Sequence, residues 1–465
     1  MFIKKFVLRA AGASLAAIVL LTTQQLRAES SSDTARIEKL ERAVELLAKQ
    51  NAELQAEIKS LKKETASVPD GKFKKKVTYD GKTYVEKAVV EEEKPPVYVQ
   101  QRGPELKLVL GGFIQMNFED GDVSAFEGRF GQTALKDRFR LRRARINLTG
   151  DFAEQFDFKL EGDFENSDGL NANRTAFEAT DIFINWHQFP WAQIKMGQWK
   201  APFGLEQLTP DTSLYIIERS LPTGAITPER QIGVQLWGKP LATVWPEQKD
   251  LLTYYAGIFN GNGRNITNND NNNFMYVGRL ESTLFKSKMW GESYLKLGAD
   301  VLNSRDDAGT NISQSLTLKV NSDGSLSPFT LPTAAERTAW SVDAWLRLGR
   351  FDLIGEYLEE YVNGRTVNGV PGMPDFTTNG YYITAGYFLI PKKLQLAVQW
   401  QDLNPGQKGN DGIRSITGGL NYYIHGDDIK LMVNYIHTWS DFREAHPEFG
   451  DDQFDEVIGR VQLMF

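Results

Sequence analysis

From residue 105 onward, charged residues of both signs stand in mid-strand: Arg143 and Arg145, then Asp157, Lys159 and Glu161, then Asp181 and, in the next segment, Lys195. Side chains two apart share one face of a strand, so the first two groups each form a charged row. Such rows could do one of two things. Arginine's planar fork makes two charge-assisted bonds to an oxyanion at once, and fixed charges lining a constriction select ions. Alternatively, the rows pair with one another and stiffen a wall. Other chemistry is poorly supplied. The 465 residues include no cysteine and only four histidines, His187, His425, His437 and His446. Thiol catalysis, disulfides and thiolate metal sites are therefore excluded, and a His-rich metal centre is not expected. No Gly-x-Ser-x-Gly, Walker A or His-Glu-x-x-His motif occurs. The chain reads as a non-enzyme with no cofactor and no metal. The Asn-rich run 265–273 reads as a polar loop.

An apolar row faces each charged one. Leu106, Leu108, Leu110, Gly112, Ile114, Met116 and Phe118 alternate with a mostly polar set, and the pattern returns in Phe156–Phe164, Leu394–Trp400 and Val457–Phe465. Period two is the strand signature. About sixteen such segments lie between 105–118 and 456–465, separated by turn signals such as Gly349-Arg350 and Pro391-Lys392-Lys393. A tilted membrane strand needs about 9–11 residues, which leaves room for turns and longer loops. Short connections such as 349–350 and 391–393 belong on a periplasmic side, and long ones such as 303–337, 362–379 and 439–455 outside. The apolar face carries aromatics near strand ends, among them Phe118, Phe164, Trp340, Tyr387, Tyr422 and Phe465, as interfacial girdles do. The expected fold is all-β, a sixteen-stranded antiparallel transmembrane β-barrel over 105–465. A mean hydropathy of −0.39 is compatible with it, because only every second strand residue meets lipid.

Upstream segments have a different character. Lys4, Lys5 and Arg9 precede an apolar stretch from Ala10 to Leu21, and Leu26-Arg27-Ala28 ends in a small residue. Residues 1–28 read as a secretory signal peptide. Without them, 49 basic residues stand against 60 acidic ones, a net charge of −11, which argues against a nucleic-acid partner. In 29–64, Ile37, Val44, Asn51 and Ile58 recur every seven residues, and Leu40, Leu47, Leu54 and Leu61 fall three later. These are the a and d positions of a coiled-coil oligomerisation helix, in which the polar Asn51 specifies register. Residues 65–104, with Pro95-Pro96 and the run Glu91-Glu92-Glu93, read as a charged spacer with one hairpin around Asp80-Gly81.

Three runs carry a family resemblance: Arg142-Arg143-Ala144-Arg145-Ile146-Asn147-Leu148-Thr149-Gly150; Met196 to Glu206 with Ile217-Glu218-Arg219-Ser220-Leu221; and Pro228-Glu229-Arg230-Gln231-Ile232-Gly233-Val234-Gln235. With a terminal strand ending in Phe465, the pattern resembles the phosphate-selective porins O and P of Gram-negative outer membranes. The resemblance implies sixteen strands, a homotrimer and a loop after the fifth strand folded into the pore. It makes Phe465 an assembly signal. Arg142 and Arg143 match the family's paired lumen arginines, Arg219 its Glu-Arg motif and Asp181 an acidic residue of its site. Arg145, Lys159 and Lys200 join them as pore candidates. The chain departs from the family at the loop: Gln207 stands where a lysine is expected, and Asp211 adds a negative charge. Lys200, seven residues before Gln207, compensates in part.

The expected function follows. It is a porin of the cell outer membrane for passive diffusion of small hydrophilic solutes, with a weak anion preference rather than high-affinity phosphate binding. Outer-membrane lipid and lipopolysaccharide surround it. The N-terminal extension lies in the periplasm, where its coil reaches peptidoglycan or a periplasmic partner. The competing reading is a structural protein that tethers or spaces the envelope through that coil.

Overall fold

The computed structural model describes residues 106–465 apart from 123–136, 166–176, 288–290, 313–318, 323–325, 328 and 370, together with three short strands before residue 100. The signal peptide and the heptads lie outside the described residues. Phe73–Tyr79 and Tyr84–Val90 pair antiparallel. Val97–Val99 pairs with Leu106–Leu108.

Sixteen barrel strands then follow, besides a short pair at Lys319–Val320 and Leu326–Ser327. The first eight are β1 (Leu106–Gly121), β2 (Arg138–Phe152), β3 (Phe156–Asp163), β4 (Glu178–Phe189), β5 (Ala192–Lys200), β6 (Arg230–Gly238), β7 (Thr253–Phe259) and β8 (Met275–Ser287). The second eight are β9 (Ser293–Asp306), β10 (Ala335–Leu348), β11 (Phe351–Gly364), β12 (Phe376–Ile390), β13 (Leu394–Asn404), β14 (Ile413–His425), β15 (Ile429–Ser440) and β16 (Gln453–Met464). Each pairs antiparallel with the next, and β16 pairs with β1 from Glu456↔Gly121 to Met464↔Phe113. The sheet is a closed barrel, so no strand edge is left open to lipid.

Side chains alternate as the period requires. On β1, Ile114, Met116 and Phe118 are exposed on the outer wall while Gln115, Asn117 and Glu119 are buried inside. On β15, Leu431, Val433 and Tyr435 face out while Asn434 is buried. The outer wall is apolar, the pattern of a barrel wall that faces lipid, and no helix of the described residues is long and apolar enough to cross a membrane. Connections of two or three residues at 190–191, 349–350, 391–393 and 426–428 mark one rim, and loops such as 260–274, 307–334 and 441–452 mark the other. One connection on the turn rim, 239–252, is longer than the alternation suggests. It is clamped there: Lys239 and Lys286 both donate to Asp250 and hold that carboxyl down at about 2.

The barrel seam ends on the last residue. Phe465 donates its N–H to the Gly112 carbonyl and accepts the Gly112 N–H, both at 3.0 Å. The Gly112 α-carbon has no room for a side chain, because a Cβ would sit 2.8 Å from the Phe465 ring. Deleting Phe465 removes two seam hydrogen bonds, each worth about 1 kcal/mol net, along with the ring contact. The fraction of refolded barrel on an unheated gel should fall, with wild-type yield as the contrary result.

Candidate pore constriction

Strict alternation would put Arg142 and Arg143 on opposite faces of β2. The register between β1 and β2 shifts at this point: Gln115 pairs with Arg143, but Met116 pairs with Leu141. Arg142 is the extra residue of a β-bulge, which re-aims side chains locally. Arg138, Arg140 and Arg142 above the bulge and Arg143 and Arg145 below it therefore all point inward, while Phe139 and Ile146 stay exposed on the outer wall. Five arginines of one strand line the lumen.

Facing them is the connection between β5 and β6, residues 201–229, which folds inward across the barrel. Its ends are anchored by apolar burial. Phe203 and Ile226 are fully buried with Phe259, Met275, Leu302 and Leu358 of the wall, and each such side chain contributes about 1.5–3 kcal/mol. Gly204 has φ 84° and sits where a Cβ would lie 2.9 Å from Thr227, so only glycine fits. That approach brings the first turn of helix α1 (Leu205–Leu208) onto the opposite wall. Glu356 accepts the N–H of Leu205 (2.9 Å) and of Glu206 (3.2 Å), and Asp300 accepts that of Gly204 (3.0 Å). Helix α2 (Leu221–Ile226) is capped by Ser220, which also donates to Glu206. Between the helices the chain crosses to the far wall. Ile217 donates its N–H to Asn434 (2.7 Å), and the Tyr215 carbonyl accepts from Asn421 (2.8 Å).

Asp300, Asp343 and Glu356 place carboxylate oxygens within 4.8 Å of one another. Arg279 Nη1 donates to Asp300 and Asp343 at 2.7 Å, and Glu356 accepts from the loop's N–H groups and from the Tyr382 hydroxyl (3.0 Å). The cluster serves as the loop's anchor.

The candidate pore residues meet where the loop faces β2. Asp211 is the hub: it pairs with Arg145 at 2.7 Å, with Arg143 at 3.4 Å and with Arg219. Burial alone would raise the Asp211 carboxyl, but Arg143 and then Arg219 hold it well below the ordinary carboxylate range. Arg219 also donates to the carbonyls of Glu206 and Thr209. Arg142 makes a forked pair with Glu218, at 2.9 and 3.0 Å. Lys159 pairs with Glu161 and Asp181, and Arg230 with Asp181. Lys200 donates to the Gln207 carbonyl at 2.7 Å. The Gln207 amide itself is buried, and neither of its polar atoms has a hydrogen-bond partner among the described residues. Arg142, Arg143, Arg145, Lys200, Arg219, Gln207 and Asp211 thus form one group. Lys159 and Asp181 lie in an adjoining network, joined through Glu161 to Arg145 at 3.8 Å. Arg460 was not singled out from sequence, yet it pairs with Glu218 at 2.7 Å and donates to the Ile217 carbonyl. Its inward place on β16 is legible from alternation, but its partner is set by barrel closure.

These arginines neutralise the loop's carboxylates as much as they face water. Arg142 keeps about a quarter of its side chain exposed, whereas Arg143 and Arg145 are buried.

Residues 113–465 match the family described as phosphate-selective porin O and P. The chain belongs to that family. No curated relative matches this porin O and P chain. Solved barrels resemble it in fold. An outer membrane protein of Vibrio cholerae, OmpT with loop L8 deleted, has a TM-score of 0.51 at 10% identity, covering 77% of this chain and 99% of its own. An anion-selective porin from Comamonas acidovorans has a TM-score of 0.51 at 13% identity, covering 78% and 100%. The outer membrane channel DcaP of Acinetobacter baumannii has a TM-score of 0.50 at 13% identity, covering 79% and 99%.

Proposed function

We propose that this porin O and P chain forms a water-filled outer-membrane channel. Small hydrophilic solutes cross it by passive diffusion, with a modest preference for anions. The observation that carries this reading is the inward loop 201–229, which sets Arg142, Arg143, Arg145, Lys200 and Arg219 around one constriction. Asp211 and Glu218 neutralise much of that charge, which favours a weak preference over tight oxyanion capture. A solved Comamonas acidovorans relative in fold is an anion-selective porin, and OmpT of Vibrio cholerae has been solved as a trimer. The first supports an anion-preferring channel and the second a trimer. The heptads at 37–61 support a coil that adds to trimer contact on the periplasmic side.

Arg142 is the part of the row most open to a passing ion. A unit charge about 4 Å from an ion is worth about 1 kcal/mol in water, or about fivefold in relative permeability. Arg142→Gln, which removes that one charge, should therefore lower the anion-over-cation permeability ratio several-fold, read from the reversal potential in a salt gradient. An unchanged reversal potential would remove Arg142 from the permeation path.

A further inference from the structure

Lys195 takes no part in the constriction. It stands on the inward face of β5, near the short turn at 190–191. Its ammonium lies over the Phe183 ring of β4 at 4.4 Å, with the rings of Trp199 and Trp237 at 5.8 and 5.7 Å. Among the described residues it joins no ion pair. Beside it, Trp237 of β6 and Tyr255 of β7 lie within 6° of parallel, their ring centroids 6.0 Å apart. The polar ends of both rings are engaged: Trp237 donates to Asn185 (3.0 Å) and the Tyr255 hydroxyl to Glu281 (3.3 Å). Phe183, Lys195, Trp237 and Tyr255 are all half-buried, so a shelf of fixed ring faces and one ammonium meets the lumen.

The carboxylates on these strands belong to other groups. Asn185 stands between Asp157 and Lys195 in the register and donates to Asp157 (2.9 Å). Asp181 is held by Lys159 and Arg230, and Glu281 by Arg279. A ring face attracts an ammonium less strongly than a carboxylate that bonds it, so an arriving carboxylate displaces no better partner of Lys195.

We propose that this shelf is a binding step for small aromatic carboxylates, of which benzoate is the simplest. The ring stacks on Trp237 and Tyr255 while the carboxylate bonds to Lys195. Flat apolar surface beside an uncompensated cation complements a solute that is flat and apolar at one end and anionic at the other. An inorganic anion gains only the charge. The inference rests on the channel reading above and names a solute class within its anion preference.

The test records potassium chloride current through the purified full-length protein in planar bilayers. Benzoate is added on both sides, or cyclohexanecarboxylate, which has the same charge and nearly the same size but no aromatic face. Half-block should need about fivefold less benzoate than cyclohexanecarboxylate. Trp237→Leu should bring the two acids level. Lys195→Met, which keeps the stem and drops the charge, should raise the half-blocking concentration of both about fivefold. Equal block by the two acids in wild-type protein that conducts would overturn the shelf and leave the channel reading standing. A preference for benzoate that survives Trp237→Leu, or half-blocking concentrations unmoved by Lys195→Met, would overturn it too. Folded wild-type protein that carries no current would defeat the channel reading and this one with it. If Trp237→Leu does not fold, the wild-type comparison and Lys195→Met decide.

Discussion

Replacing Asp211 by asparagine should raise the anion-over-cation permeability ratio several-fold and loosen the inward loop. The side chain keeps its volume and loses its charge, so three guanidiniums, those of Arg143, Arg145 and Arg219, lose a common partner. Removing one member of a buried ion-pair network costs about 3–5 kcal/mol, because the charges left behind are no longer compensated. Two readouts follow from one cause. The constriction becomes more positive by one unit, which moves the reversal potential toward anions, and thermal unfolding in detergent shifts downward as the loop's docking weakens. Acidification should not mimic the substitution. The arginines hold this carboxyl well below the ordinary range, so the charge it contributes persists as pH falls through about 4 and is lost only at lower pH. A reversal potential and melting profile equal to wild type would show that Asp211 does not neutralise the row.

Arg279→Gln should be the most destabilising single change in the wall. The guanidinium is almost fully buried and joins Asp300, Asp343 and Glu281. Without it, Asp300 and Asp343 face Glu356 with no counter-charge, again a cost of about 3–5 kcal/mol. The effect reaches the constriction because Asp300 and Glu356 also hold the first turn of the inward loop. Thermal unfolding should drop strongly and single-channel current should become noisier. Adding Asp343→Asn should recover part of the loss. Arg279→Lys should recover less, since a point charge does not reproduce a fork that serves three carboxylates. No loss in Arg279→Gln would mean the anchor is carried by the apolar cluster around Phe203 and Ile226 alone.

The barrel was legible because lipid on one side and charge on the other impose period two over long stretches. Sixteen segments of 105–465 correspond to β1–β16, and the inward and outward sets of β1 agree with the alternation from Phe113 to Phe118. The bulge at Arg142 was not legible. One inserted residue inverts the phase of everything beyond it, and alternation alone would have sent Arg138, Arg140 and Arg142 toward lipid. The resemblance to the porin O and P family set Arg142 beside Arg143 as a lumen pair, which periodicity could not do. The pairing of the candidate charges was equally out of reach. Asp211 is 66 residues from Arg145, and Glu218 is 242 from Arg460, so their meeting depends on closure of the barrel and on the path of the inward loop. The glycines that admit that loop read in sequence as ordinary breaks in a strand. A Cβ at Gly386, for instance, would lie 3.1 Å from the Tyr215 ring.

The central claim is that the bore enclosed by β1–β16 conducts, with the row from Arg142 to Arg219 setting its preference. Planar-bilayer recording of the purified protein tests it most directly. Stepwise single-channel currents should appear, with conductance rising in proportion to salt concentration and a reversal potential displaced modestly toward the anion. Membranes that stay electrically silent with folded protein inserted would contradict the channel, and a reversal potential displaced toward the cation would contradict the assignment of the arginines.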